Sequence, residues 1–412
     1  MTRHEVPRPG RAAAEEFVSR HLGRLVSDEV VGSTGFSGGQ NAAAAALNSF
    51  DVTGYAGRRN EVLPRSRRGA SRLSPYIRHG LIQLGDLWSH VAAGPADDVK
   101  KFRDELLWQE FARHWYARLG TRTRSGIRGE LLAADSSGSP ASIEPGSTES
   151  KMACMSAVVT ELESDGWLVN QTRMWMASHW AIRLGNRWQE GEDYMFRHLL
   201  DGSRAANRLG WQWTTGVGSS KPYGFSRWQV NKRAPGLCES CEFSSRCPIE
   251  DWPEERGSVA VPVSVGARER VESMSGPVNV VSQGAPEAVW LTAESLGTGD
   301  PAMLHHPDLS AVFVFDEPLL ARLKLSSKRL IFLVETLAEL GMSRQVELHL
   351  GDPTAVLANR PVAVTHAPVP GFVQRAAVIQ PVEVHPWPWL VQPAAGSVES
   401  FSAWRRGAPL TR

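Results

Sequence analysis

The chain has 412 residues, 42% of them apolar, and a net charge of +1. That length suits about two or three folded domains, and near-neutrality excludes a global electrostatic pull on nucleic acid, so any such surface must be a local patch. Four cysteines exclude a disulfide scaffold; without a run of about 18 apolar residues no transmembrane helix is predicted, and without an apolar signal-peptide core the cytosol is the expected compartment.

Residues 1–36 are basic and Gly- and Ser-containing around one short amphipathic stretch, Ala12 to Leu25, and read as a flexible lead-in. At Ser37 the chain turns through Gly38 and Gly39 into a strong helix former, Ala42 to Phe50. Arg58, Arg59, Arg65, Arg67, Arg68 and Arg72 cluster next, either as a solvated loop or as a phosphate-binding patch. Ser71, Ser74 and Pro75 precede an apolar helical pattern, where hydroxyls and helix-start N–H groups could hold a diphosphate. Lys101 to Leu119 is helical, with Glu105, Trp108 and Ala112 on one face. Thr121 to Ser150 is Gly- and Ser-rich. Met152 to Gly166 is a helix carrying Cys154, and Asn170, Arg173, Met174 and Ala177 share the face of the next.

Residues 256–286 read as a linker between a helical domain, 37–255, and a second domain, 287–412. In the second, Ala288–Leu291, Ala311–Phe315, Val346–Leu350, Val362–Thr365 and Ala376–Ile379 are strand candidates. They alternate with helices such as Lys328 to Leu340, which Ser326 and Ser327 cap and Gly341 ends. That alternation predicts a Rossmann-like parallel α/β sheet, without a G-x-G-x-x-G dinucleotide fingerprint. Cys238-x2-Cys241-x5-Cys247 is a compact thiolate group, with Cys154 its only possible fourth member. Zinc and an iron–sulfur cluster both remain open on spacing. Fifteen tryptophans against five tyrosines point either to core packing or to indoles used for stacking or electron transfer.

Several of these stretches resemble the photolyase/cryptochrome family. GASRLSPYI (69–77) is similar to its GTSRLSPYL, ELLWQEFARHW (105–115) to its ELIWREFYRH, and residues 167–202 to its flavin-contact helices up to Asp-Gly. The resemblance implies an all-helical FAD-binding domain. In it Tyr55, Ser71, Arg72, Leu73, Ser74, Phe102, Glu105, Asn170, Arg173, Asp201, Ser203 and Asn207 would line the FAD pocket. Asn207 would face flavin N5, and Arg173 and Asp201 would pair beside the ring. Glu105, Trp108, Asn170, Met174 and Trp213 would meet a pyrimidine dimer. Trp211, Trp188 and then Trp180 or Trp175 would relay electrons to the flavin. Departures from the motifs are Ala70 for Thr, Gln109 for Arg and Ser203 for an acidic residue.

TESKMAC, then GSSKPY, CESC and CP, is similar to the family's iron–sulfur branch, implying a 4Fe-4S cluster on Cys154, Cys238, Cys241 and Cys247. VWLTAESLGTGDPAM and the α/β stretches after it resemble the family's antenna domain, which usually comes first. The chain therefore looks circularly permuted, and its antenna chromophore is not identifiable. The implied function is light-driven repair of pyrimidine dimers in DNA by a monomer, with Arg58, Arg65, Arg67, Arg68 and Trp108 on the DNA. Val169 stands where (6–4) enzymes place a His, which favours cyclobutane dimers. The alternatives are a (6–4) photolyase, a cryptochrome-type blue-light photoreceptor, and a light-independent DNA-binding iron–sulfur protein.

Overall fold

A computed structural model describes residues 2–131, 151–219, 221–253, 258–259, 275–394 and 396–407. The helical part comprises α2 (Gln40–Ser49), α3 (Tyr55–Arg58), α4 (Ser74–Arg78), α5 (Leu84–His90), α6 (Ala96–Leu119), α7 (Ala153–Asp165), α8 (Asn170–Ser178), α9 (Trp188–His198), α10 (Arg204–Thr215) and α11 (Arg227–Arg233), and α1 (Arg11–Phe17) precedes it. Helix α6 is the spine. Its buried side chains, among them Phe102, Leu106, Phe111 and Trp115, share one core with α2, α4 and α5. A second core joins α7, α8, α9 and α10 through Met155, Trp175, Trp188 and Trp211.

Strand β1 (Thr2–His4) lies far from the other sheet strands in sequence. After the two-residue ribbon strands β2 (Glu130–Leu131) and β3 (Ser258–Val259) come β4 (Val281–Ser282), β5 (Ala288–Leu291), β6 (Ser310–Asp316), β7 (Val346–Gly351), β8 (Val362–Thr365) and β9 (Glu383–His385). The seven-stranded sheet has the order β1-β7-β6-β5-β8-β9-β4. The middle five strands are parallel and the two edges antiparallel. Chain order reverses at β5, as in doubly wound sheets. The Rossmann-like expectation therefore meets a parallel sheet with helices on both faces: α14 (Ser327–Leu340) with α1 on one, and α16 (Pro370–Ile379) on the other.

Four expectations change. Residues 1–36 are no flexible lead-in: β1 pairs with β7 from Thr2↔Leu350 to His4↔Leu348, and α1 buries Ala14 and Phe17 against α14. The 256–286 linker contributes β3 and β4; its residues 256–257 and 260–274 lie outside the described residues. Ala376–Ile379 belongs to α16, not to a strand, because a short apolar run does not distinguish the two. Finally, not all of 287–412 stays with the α/β part. After β9 the chain crosses to the helical part, where Trp389 stacks on His114 of α6 at 4.3 Å and Val391 N–H donates to Glu110 at 3.0 Å.

Helix α14 joins the two parts. All but one of its residues are buried. Leu330, Ile331, Val334 and Leu337 pack on the sheet, while Phe332 packs on Tyr76 and His79. Its polar groups hold the start of α2: Gly38 N–H donates to Glu335 at 2.7 Å, Gly39 N–H to Thr336 at 3.0 Å, and Asn41 N–H to Glu339 at 2.9 Å. A Cβ on Gly38 would fall 2.1 Å from the Phe332 carbonyl oxygen, so only glycine permits this approach. Among the described residues no helix is long and apolar enough to cross a membrane.

Candidate functional site

A cleft opens between α3, α4, α6, α8 and α10. One wall is the turn before α4, carrying Ser71, Arg72 and Ser74. Arg72 adopts a left-handed φ of 58°, a conformation that costs a non-glycine residue about 1 kcal/mol. Its guanidinium donates to the Gly35 carbonyl at 3.0 Å and lies over Phe36 and Trp167 at 4.5 and 5.2 Å. Ser74 accepts from Trp167 Nε1–H at 2.9 Å. Tyr55 and Glu105 form the neighbouring wall; Glu105 pairs with Lys101 at 2.8 Å and with Arg59 at 3.4 Å.

Opposite, Asn170, Arg173 and Met174 point in from α8, and Asp201 and Asn207 flank the start of α10. Arg173 donates to Asp201 Oδ2 at 2.7 Å. Asp201 Oδ1 is buried and has no hydrogen-bond partner in the protein. A buried carboxylate oxygen left unpaired is costly, so it fits an N–H donor of a bound heterocycle. Asn207 commits its NH2 to Glu192, at 3.0 Å to the carbonyl and 2.9 Å to Oε1, which leaves its amide oxygen for a ligand. Glu192, to which the sequence reading assigned no role, also takes Arg204 at 2.5 Å and Arg208 at 3.4 Å. Burial pushes its carboxyl up, against the pull of those arginines. The signal was there in Glu-Gly-Glu one turn into α9, but two glutamates gave no means of choosing.

Other expected residues lie elsewhere. Leu73 is fully buried core, Phe102 packs edge-on against Tyr55 at 5.0 Å behind the cleft wall, and Ser203 caps α10 by accepting from Ala205 N–H. Trp108 is outside the cleft lining; it stacks on Phe401 of α17 (Phe401–Gly407) at 4.1 Å and 10°. Trp213 is 42% exposed and 6.0 Å from Tyr223. Arg68, expected on the DNA, turns its side chain inward: it is buried in a two-pronged pair with Glu161 and donates to the Val62 carbonyl at 2.7 Å. Arg58, Arg65 and Arg67 are exposed.

Residues 102–234 match the family described as the FAD binding domain of DNA photolyase. That stretch of the chain is similar to the FAD-binding domain of DNA photolyase. The chain is 32% identical over 195 residues to the deoxyribodipyrimidine photo-lyase of Alkalihalophilus pseudofirmus, covering 45% of this chain and 40% of that one. It is 25% identical over 263 residues to cryptochrome DASH of Idiomarina loihiensis, covering 58% of this chain and 56% of that one. The chain thus spans well under two thirds of the length of either relative. The crystal structure of the Synechocystis sp. PCC6803 cryptochrome aligns with a TM-score of 0.43 and 20% identity, over 51% of this chain and 46% of that one.

Within the matched stretch, Trp211 and Trp188 are buried, each with an unpartnered indole N–H. A methyl built on Gly191 would lie 2.2 Å from Trp211 and 2.9 Å from Trp180. Trp211 and Trp180 therefore both crowd Gly191, where a side chain would collide with them. Trp180 is partly exposed and donates to the Arg187 carbonyl at 2.9 Å.

The four cysteines converge. Cys154 at the start of α7 lines one small apolar pocket with Cys238, Cys241 and Cys247, and Ala153 N–H points at Cys241 Sγ, 3.5 Å away. Burial and the three neighbouring thiols push the Cys154 thiol up to about 12, so a bound cation is what would release its proton.

Proposed function

We propose that this protein is a light-driven lyase that splits pyrimidine dimers in DNA, the cyclobutane type being favoured by Val169, with the FAD-binding and antenna-like parts in the reverse of the family's usual order. The observation that carries the reading is the Arg173–Asp201–Asn207 group at the cleft: an ion pair with one carboxylate oxygen left unpaired, beside an amide whose oxygen is free. These residues fit FAD. Ser71, Arg72 and Ser74 would hold its diphosphate, and Asp201 and Asn207 its ring. When bound and reduced, FAD supplies a light-driven electron. Glu105 positions the lesion by hydrogen bonding, Arg58, Arg65 and Arg67 hold phosphates, and the cleft walls exclude water.

The cysteine site fits a 4Fe-4S cluster better than zinc. What supports that reading is the placing of Cys154, distant in the chain, in one small pocket with Cys238, Cys241 and Cys247, the ligand plan of the iron–sulfur branch that the sequence resembles. A cryptochrome-type photoreceptor is the second reading. It is favoured by one observation: the Trp108 face that would stack on a lesion is occupied by Phe401.

The test is anaerobic purification followed by absorption spectroscopy, iron analysis, and illumination with an oligonucleotide containing one cyclobutane dimer. Flavin bands, about four irons per chain and light-dependent loss of the dimer are expected. Flavin without dimer loss overturns cyclobutane repair and leaves the photoreceptor reading standing, and a protein without flavin overturns both.

A further inference from the structure

On the sheet face opposite α16, neither the cleft nor the cysteine site uses a cluster of imidazoles. His305 closes α12 (Pro301–His305) and His306 follows it, while Glu383 and His385 stand two apart on β9, so their side chains leave the same face of the strand. Helix α12 packs across β8 and β9, which brings the two pairs together. The ligand atoms of His305, His306 and Glu383 all lie within 4.8 Å of one another. Glu383 Oε1 meets Nε2 of His306 and Nε2 of His385 at 2.6 Å each, and the His305 and His385 rings are 5.2 Å apart. Glu383 and His385 are buried, His306 is partly buried and His305 is exposed. Arg344 donates to the carbonyls of Met303, His306 and Leu309, which fixes the turn that presents the two adjacent histidines.

We propose that this cluster is a site for a divalent d-block cation of the zinc class. His305, His306 and Glu383 are its ligands, and His385 is a positioning residue that donates to the carboxylate from behind. The chemistry argues for this occupant. Two imidazoles and a carboxylate around one point suit Zn2+, Co2+ or Ni2+ and not Mg2+ or Ca2+, which take oxygen ligands. A ligating group held by a buried hydrogen-bonding partner is the usual arrangement around such ions. As a packing device the cluster is poor, because a buried carboxylate surrounded by imidazoles costs more desolvation than an apolar filling of the same corner. The exposed His305 leaves an entry path and a coordination position for water. The ion would tie α12 to β9, next to the edge strand β4, which pairs with β9 at Ser282↔Glu383.

The test uses the full chain with its iron in place, treated with a mild chelator and titrated with Zn2+ and with Co2+. The wild type should take up one equivalent whose Co2+ spectrum shows visible d–d bands without the near-ultraviolet charge transfer of thiolate ligation. Its melting temperature should rise on loading. His305→Ala, at an exposed position, should keep iron, flavin and apo stability while weakening that equivalent at least tenfold. His385→Gln should weaken it about 10–100-fold. If wild type and His305→Ala bind Zn2+ equally, or if the cobalt spectrum shows thiolate ligation only, the cluster is a hydrogen-bonded corner and the site is refuted.

Discussion

A single amide at the cleft, Asn207, is aimed by residues that do not line it. Glu192 is 2% exposed and serves Asn207, Arg204 and Arg208 at once. Removing one partner from a buried ion pair costs about 3–5 kcal/mol, because the other charge remains. Glu192→Gln keeps the shape and one acceptor, so it should cost about 3 kcal/mol in urea unfolding. It should also release Asn207 to rotate, which lowers the flavin-to-protein ratio. A loss under about 1 kcal/mol with unchanged flavin would mean that Glu192 neither holds the arginines nor aims the amide. Gly191 works by absence at the same scale: any side chain there would drive Trp211 and Trp180 apart.

At the scale of elements, α17 and the strap before it decide what α6 presents to solvent. Trp387 lies under Arg113 at 5.2 Å, Trp389 on His114, and Phe401 on Trp108. The strap clamps one side of α6 while the cleft opens on another. If Trp108 takes part in lesion binding, α17 must first move. Phe401→Ala removes the stacked ring, an interaction of about 0.5–1.5 kcal/mol. It should therefore raise affinity for dimer-containing DNA by roughly 2- to 10-fold, and Trp108→Ala in that background should abolish the gain. Affinity unchanged by Phe401→Ala would remove Trp108 from the binding surface. Helix α14 makes the contrasting case. It is buried between the sheet and the cleft domain although Lys328, Arg329, Glu335 and Thr336 lie on it, because each of these finds a hydrogen-bonding partner on a neighbouring element.

For the whole molecule, buried neutral histidines set the response to acid. His179 has both ring nitrogens buried and unpartnered, and burial pushes its pKa from 6.5 down to about 4. Burial, aided by Lys328, does the same to His198, also to about 4. Burial outweighs the Val391 carbonyl at His114, again to about 4. Below pH 6.5 the unfolded chain binds these protons and the fold does not. Stability is therefore present above about pH 6.5 and is lost as pH falls towards 4. Glu110, pushed up to about 7 by burial, acts the other way, losing its contribution as pH rises from 4.5 to 7. His79, which burial pushes down to about 3, adds to these three histidines, and the four outweigh the carboxyls that burial raises, Glu110, Glu192 and Asp300, so the melting temperature should fall steadily between pH 6.5 and 4.5. His179→Gln should flatten that slope; a melting temperature level across the window would contradict the assignment.

Local pattern alone determined most of the helices, the parallel strands β5 to β8, and the turn at Gly38 and Gly39, while the residues expected at the cleft came from the resemblance of whole motifs to a known family. Each follows from neighbours a few positions apart: a 3.6-residue apolar period, a cap, a glycine, a motif within one helix. The spacing of Cys238, Cys241 and Cys247 likewise marked a thiolate site, though not its occupant. Tertiary structure decided the rest. Thr2–His4 has no strand pattern and becomes one only because β7 offers an open edge. Arg68 looked like its basic neighbours until Glu161 paired with it, and Trp108 looked like a free stacking face until Phe401 covered it. His305 and His306 meet Glu383 and His385 only because α12 lies across β9. In each case the deciding partner is distant in the chain, and which distant groups meet depends on how the layers pack, a property that no window of neighbouring residues contains.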